Sequence, residues 1–293
     1  MRKGLGMAGL VAGVVAAGWV QAAPAVGVPA AIYTDPPHDA AHPARMQVLH
    51  VPSGVQTIYG VAYLAAGAGR HPTVVLCHGW PGNEKNLDLA QAIRRDGWNV
   101  VTFNYRGSWG SPGVFSFAQN PEDAKAVLAF IRRPENAERL GVDTAKLVLM
   151  GHSMGGWVTV EVAGEDRDLR GAVLISAANM GREGMKPYQE LYDLSADNAE
   201  TLAGVTAQSM AAELAAHKDD YDFEKKAPGL VDKPLLILTA DDGLAPHVQD
   251  LAAAIRKAGG TQVTMIHAAT DHAWSDRRVE LESRVIDWLN RLK

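Results

Sequence analysis

The chain has a single cysteine, Cys77, among 293 residues, so no internal disulfide can brace it and its stability must come from a packed core. A basic excess is also missing: 28 Lys and Arg stand against 33 Asp and Glu, for a formal net charge of −5 at pH 7. That balance offers no positive surface to a polyanion, and no nucleic-acid partner is expected. The ten histidines lack metal-ligand spacing and one cysteine cannot build a thiolate cluster, so neither a metal nor another cofactor is expected. No internal repeat is visible. With 47 % hydrophobic and 21 % charged residues, the composition is that of a globular protein, and Cys77 reads as a small apolar residue at the end of a buried strand.

One long uncharged run is present, Gly4 to Val20, preceded by Arg2 and Lys3 and followed by Val20-Gln21-Ala22-Ala23-Pro24. A positive start, an apolar stretch and small residues at a cleavage site describe a secretory signal peptide over residues 1–22, cut after Ala22. The alternative is an uncleaved anchor, because the run falls only slightly short of the roughly 20 residues that span a bilayer. Cleavage implies a periplasmic or secreted protein without stable membrane association, and no cysteine lies near the site to carry a lipid. Residues 23–43, rich in Pro, Ala and His and without periodicity, read as an extended leading segment.

Beyond it, Arg45 to Val51 and Gln56 to Leu64 flank Pro52-Ser53-Gly54 as an antiparallel hairpin would. Short apolar strands at Thr73–Cys77, Trp98–Tyr105, Leu147–Met150, Ala172–Ile175, Leu235–Leu238 and Val263–Ile266 then alternate with helical spacing. In the first of these helices Leu87, Leu89 and Ile93 are expected to face inward, with Lys85, Asp88 and Arg94 outward. Further helices are expected at Pro121–Arg132, after Ser153, at Ala245–Ala258 and at Val279–Leu292. Such alternation implies an α/β fold: a mostly parallel central sheet with helices on both faces. The strand pattern pauses from Ser176 to Lys233, where Thr201 to Leu214 looks helical, and residues 177–233 are expected to form a small cap insertion or an elongated crossover.

The chemistry gathers on Leu147-Val148-Leu149-Met150-Gly151-His152-Ser153-Met154-Gly155-Gly156-Trp157, a strand that breaks at a serine between glycines and resumes as a helix. This is the layout of a nucleophile elbow, in which the residues two before and two after the serine must be small. A serine hydroxyl needs a base to take its proton and a third group to orient that base. Asp242 and Asp241 compete for the acid after the Leu235 strand, and Asp242, beside Gly243 and four residues before Pro246, is preferred. His272, on the loop after the next strand, is the base, whereas His267 still belongs to that strand. Acyl transfer also needs amides preset for an oxyanion. Met154, first in its helix, and Trp80, in His78-Gly79-Trp80-Pro81-Gly82, are the expected donors, with His78 hydrogen-bonded inside that loop.

These motifs resemble the α/β-hydrolase superfamily over nearly the whole mature chain, placing an α/β-hydrolase domain at 44–293. The resemblance implies a serine hydrolase with Ser153, Asp242 and His272 as its catalytic triad. Tyr105-Arg106-Gly107-Ser108-Trp109-Gly110 is similar to a pocket-bordering loop of the prolyl-oligopeptidase-like and dienelactone-hydrolase-like branches. It makes Tyr105 and Trp109, with Arg106, candidates for substrate binding. Serine at 153 sets the chain apart from epoxide hydrolases, which use aspartate, and from dienelactone hydrolases, which usually carry cysteine. The expected substrate is a small-molecule ester, with a short peptide, cleaved by a serine exopeptidase, as the alternative and a noncatalytic binding protein on the same fold as a third possibility. Expressed with its own export machinery, the protein should begin at Ala23 by intact-mass measurement; a membrane-bound form retaining residues 1–22 is the contrary result.

Overall fold

The computed structural model describes residues 27–293, so the expected signal peptide and residues 23–26 lie outside the described residues. Alternating exposed and buried side chains build β1 (Arg45–Ser53) and β2 (Gln56–Leu64), an antiparallel pair that turns at Gly54 with φ 57°. Six further strands follow: β3 (His71–Cys77), β4 (Asn99–Phe103), β5 (Val142–His152), β6 (Gly171–Ile175), β7 (Leu235–Thr239) and β8 (Val263–His267). They form one sheet of order β1-β2-β4-β3-β5-β6-β7-β8, antiparallel at β1/β2 and β2/β4 and parallel thereafter. Strands β6 and β7, between β5 and the edge strand β8, are buried along their whole length, as continuous apolar runs covered on both faces must be.

The helices divide between the two faces. Short α1 (Ala30–Tyr33) lies against α2 (Leu87–Arg95), where Arg95 donates to the carbonyls of Ala31 and Ile32. Next come α3 (Gln119–Arg132), α4 (Pro134–Leu140), α5 (Met154–Ala163), α6 (Met180–Glu183), α7 (Tyr188–Ala196) and α8 (Ala207–Ala216). After a 3-10 stretch at Phe223–Leu230, α9 (Ala245–Lys257) and α10 (Arg278–Asn290) complete the chain. Side-chain alternation sorts the core accordingly: Val74 and Leu76 of β3 pack with α2 and α10, while Val75 and Cys77 pack with α3, α5 and α9. Among the described residues no helix is long and apolar enough to cross a membrane.

Three sequence expectations change here. Helix α8 starts at Ala207, where Thr206 and Ser209 cap it reciprocally, rather than at Thr201. The residues before it are occupied otherwise: Trp109 donates its amide to Thr201 O at 3.1 Å and Ala203 donates to Gly107 O at 2.7 Å, tying the 177–233 segment to the loop after β4. Leu87, expected inward, is 43 % exposed and lies beside Val48 and Tyr59 on an open part of the sheet face. Arg106, expected at a pocket wall, is a structural cation: Nε lies 2.6 Å from Asp123 Oδ1, its amide donates to Asp123 Oδ2 at 2.8 Å, and Nη2 reaches Glu122 at 2.7 Å. Asp123 is fully enclosed on α3 and also accepts from Ser53 of the hairpin.

Removing one partner of such a pair strands a buried charge. Arg106→Ala should therefore lower unfolding free energy by about 3 kcal/mol in urea titrations. The double variant Arg106→Met/Asp123→Leu should lose less than the single one; a cost for Arg106→Ala no larger than an exposed ion pair would show that the pair does not hold this loop.

Candidate active site

Ser153 joins β5 to α5 with φ 57° and ψ −123°, a conformation L-residues seldom adopt. Its surroundings admit only glycine at two neighbours: a Cβ at Gly151 would lie 1.9 Å from Gly155 O, and one at Gly155 would lie 2.2 Å from Cys77 O. The turn is pinned to the end of β6, since Ser153 donates its amide to Ile175 O at 2.9 Å and Ala178 donates to Ser153 O at 3.2 Å. Ser153 remains partly exposed at the carboxyl end of the sheet.

The loops after β7 and β8 meet, and the His272 ring lies 4.7 Å, centroid to centroid, from that of His152, the residue before the serine. His272 Nδ1–H donates to Asp242 Oδ2 at 2.8 Å, and the Asp242 side chain is 5 % exposed. The Leu244 amide donates to the other carboxylate oxygen at 3.0 Å. Burial pushes the Asp242 carboxyl up, but the hydrogen bonds from His272 and Leu244 outweigh it and hold the group below the ordinary carboxylate range. The rival pair is separate: Asp241 contacts His267 Nε2 at 3.1 Å, at the exposed end of β8.

Sequence reasoning missed three residues of this arrangement. His152 Nε2–H donates to the main-chain carbonyl of His272 at 2.9 Å, so the residue before the serine holds the loop of the histidine. Trp274, fully buried with φ 60°, donates its indole N–H to Ser176 Oγ at 3.2 Å, and Ser176 itself has φ 44°. Their partners are 120 and 98 residues distant in sequence, and no spacing rule links them.

The His78–Gly82 loop lies directly against the serine: a Cβ at Gly79 would stand 3.0 Å from Ser153 Cβ. His78 Nδ1–H donates to Gly79 O at 2.8 Å, within the loop as expected. Tyr105 Oη donates to His78 O at 3.3 Å, and Trp109 Nε1–H donates to Pro81 O at 2.7 Å. The Trp80 ring packs edge-on against Phe117, 5.0 Å between centroids. Met154 is the first residue of α5, a position whose N–H the helix leaves unused. Substrate binding by Tyr105 is corrected: at 0 % exposure it has no surface to offer and instead supports the loop from behind. Trp109, 37 % exposed, spends its indole N–H on framing the same loop. Among the described residues no cluster of three metal-ligating side chains occurs.

An elbow serine at the carboxyl end of a mostly parallel eight-stranded sheet, with a carboxylate-bound histidine on the last loop, is the layout of a hydrolase fold. The alpha/beta hydrolase family matches residues 74–284, and the chain belongs to that family. Cutinase 1 of Thermobifida cellulosilytica is 23 % identical over 191 residues, 64 % of this chain and 66 % of that protein. The Pyrobaculum calidifontis esterase superposes with TM-score 0.64 at 20 % identity, covering 86 % of this chain and 87 % of that one. EstE1, a thermostable carboxylesterase cloned from a metagenomic library, gives TM-score 0.63 at 21 % identity, covering 86 % and 90 %. At these identities the structural likeness is one of fold. The chain spans 32–66 % of the length of the curated relatives it matches.

Burial pushes the imidazoles of His78 and His152 down to about 4, so both rings are neutral at pH 7. The unfolded chain takes up these protons from the ordinary 6.5 downward, while the folded protein takes them up only near 4. Stability from this source is complete above pH 6.5 and is lost as pH falls through the window toward 4. Urea titrations should lose roughly 3 kcal/mol between pH 7 and 5. His152→Asn should roughly halve that slope, leaving the share of His78; a flat profile in the unaltered protein would contradict the buried neutral rings.

Proposed function

We propose that the protein is an exported serine hydrolase that cleaves carboxylic esters through a covalent acyl-enzyme. Ser153 Oγ attacks the ester carbonyl carbon while His272 Nε2 takes its proton, and Asp242 holds His272 in the tautomer that leaves Nε2 free to accept. The amides of Trp80 and Met154 receive the oxyanion, a contribution worth about 3 kcal/mol per donor. Collapse of the tetrahedral intermediate breaks the ester C–O bond, and the departing alkoxide takes the proton from His272. Water then attacks the acyl carbon with the same histidine as base, releasing the carboxylic acid and restoring Ser153.

The observation that carries this reading is the 2.8 Å His272–Asp242 hydrogen bond on loops that converge with the strained elbow of Ser153. The similarity to a cutinase favours an ester over a peptide bond. The exopeptidase alternative rests on the Tyr105 loop, whose tyrosine is enclosed, and on the Ser176 to Lys233 segment. A periplasmic or secreted location, without stable membrane association, goes with the expected cleavage after Ala22. Small-molecule esters are the substrates to try first.

On 4-nitrophenyl acetate and butyrate, Ser153→Ala and His272→Ala should each reduce kcat/KM by roughly 10⁴-fold, and Asp242→Asn by roughly 10³-fold or more. Retention of ester hydrolysis within tenfold by Ser153→Ala rejects the mechanism. A larger kcat/KM on aminoacyl anilides than on these esters assigns the site to peptide bonds instead.

A further inference from the structure

One register row crosses four strands: Val48 of β1 pairs with Val61 of β2, Val61 with Thr102 of β4, and Thr102 with Leu76 of β3. These side chains floor a cavity of about 250 Å³, with Tyr59 and Leu87 at its rim. Ser153, Asp242 and His272 do not line it, and the hydrolytic mechanism makes no use of it. An apolar hollow left open on a sheet face is a feature that folding alone does not require.

Two polar groups at this cavity lack what their burial calls for. Lys85 is half-buried; its Nζ donates to Asn104 Oδ1 at 3.0 Å and lies 4.0 Å from the centroid of the Trp109 ring. Among the described residues no carboxylate forms an ion pair with it: burial is the dominant influence and pushes the ammonium down to about 8. His78, 4 % exposed, also lines the cavity, and its Nε2 has no hydrogen-bond partner among the described residues. With Nδ1–H committed to Gly79 O, the neutral ring presents Nε2 as an unused acceptor.

We propose that this pocket binds a small organic monocarboxylate with an apolar body, its carboxylate on Lys85 and its body on the Val48–Val61–Thr102–Leu76 row. A carboxylate supplies the counter-charge that Lys85 lacks, and a charged hydrogen bond to a partly desolvated ammonium is stronger than one in water. Among the described residues Lys85 is the one cation lining the cavity, which suits a monoanion rather than a phosphate dianion. An uncharged alcohol of the same shape would fill the hollow and leave the ammonium uncompensated. The remaining N–H groups of Lys85 are free to turn from Asn104 toward an acid at the rim. The proposal stands without ester hydrolysis; a chain that cleaves esters releases an acid of this class at each turnover.

Ligand-observed NMR and calorimetry with benzoate, on the full chain, test it. Benzoate should bind saturably, and Lys85→Gln should weaken binding at least tenfold. Benzyl alcohol should bind the unaltered protein at least tenfold more weakly than benzoate and be indifferent to Lys85→Gln. Val48→Trp, a substitution at an exposed β1 position that fills the hollow, should abolish benzoate binding while Lys85 remains. Ser153→Ala should leave the affinity within twofold, which separates this pocket from the elbow and from any failure of the hydrolase reading. Absence of saturable binding, equal affinity of Lys85→Gln, equal affinity of benzyl alcohol, or a benzoate site lost with Ser153 but not with Val48→Trp would each overturn the proposal.

Discussion

The backbone of Ser153 is the constraint on which the surrounding structure depends. Holding a non-glycine residue at φ 57° and ψ −123° costs of the order of 1–3 kcal/mol, and it persists only where neighbours over-determine it. Here the neighbours do so by close approach. Strand β5, helix α5 and the Cys77–His78 backbone come together so tightly that Gly151 and Gly155 cannot carry a Cβ, and Gly156 meets Ala177 in the same way at 2.3 Å. The reward is positional: the hydroxyl is lifted out of the sheet beside the Gly79 backbone rather than buried in a helix cap.

The strain is shared by the elements around it. The non-glycine residues with positive φ among those described are Asn86, Trp109, Ser153, Ser176 and Trp274. Trp274 and Ser176 are hydrogen-bonded to each other at 3.2 Å, and Trp109 donates to the Pro81 carbonyl of the loop that lies against Ser153. His152 closes the remaining gap, linking the elbow to the His272 main chain from a fully desolvated position. Strained backbone, buried hydrogen bonds and neutral rings thus brace one patch at the carboxyl end of the sheet. The same framing leaves a second face of the His78–Gly82 loop looking onto the open hollow at Lys85.

Much of this was legible in the sequence because it is local. Branched apolar runs mark strands, and their alternation with helical spacing marks a mostly parallel sheet; the Gly151–Gly155 spacing marks the elbow. His272 pairs with Asp242, and Asp241 with His267 on the strand end. What was not legible depends on residues far apart in sequence. Tyr105 looked like a pocket residue from its loop, yet packing against His78 encloses it completely. Leu87 has the right helical phase for the core, but at the start of α2 it faces a sheet region that remains open. Lys85 and Asn104 carry no motif, and only the fold brings them together with Trp109 of the Tyr105–Gly110 loop.

The central claim is that this frame makes Ser153 a nucleophile with His272 as its base. Site-resolved reaction with a fluorophosphonate tests it most directly, because the probe reports hydroxyl activation independently of any chosen substrate. The account predicts stoichiometric phosphonylation at Ser153, confined to that residue and slowed at least a hundredfold in His272→Ala. Labelling that is absent from Ser153, or that proceeds equally fast without His272, would contradict it.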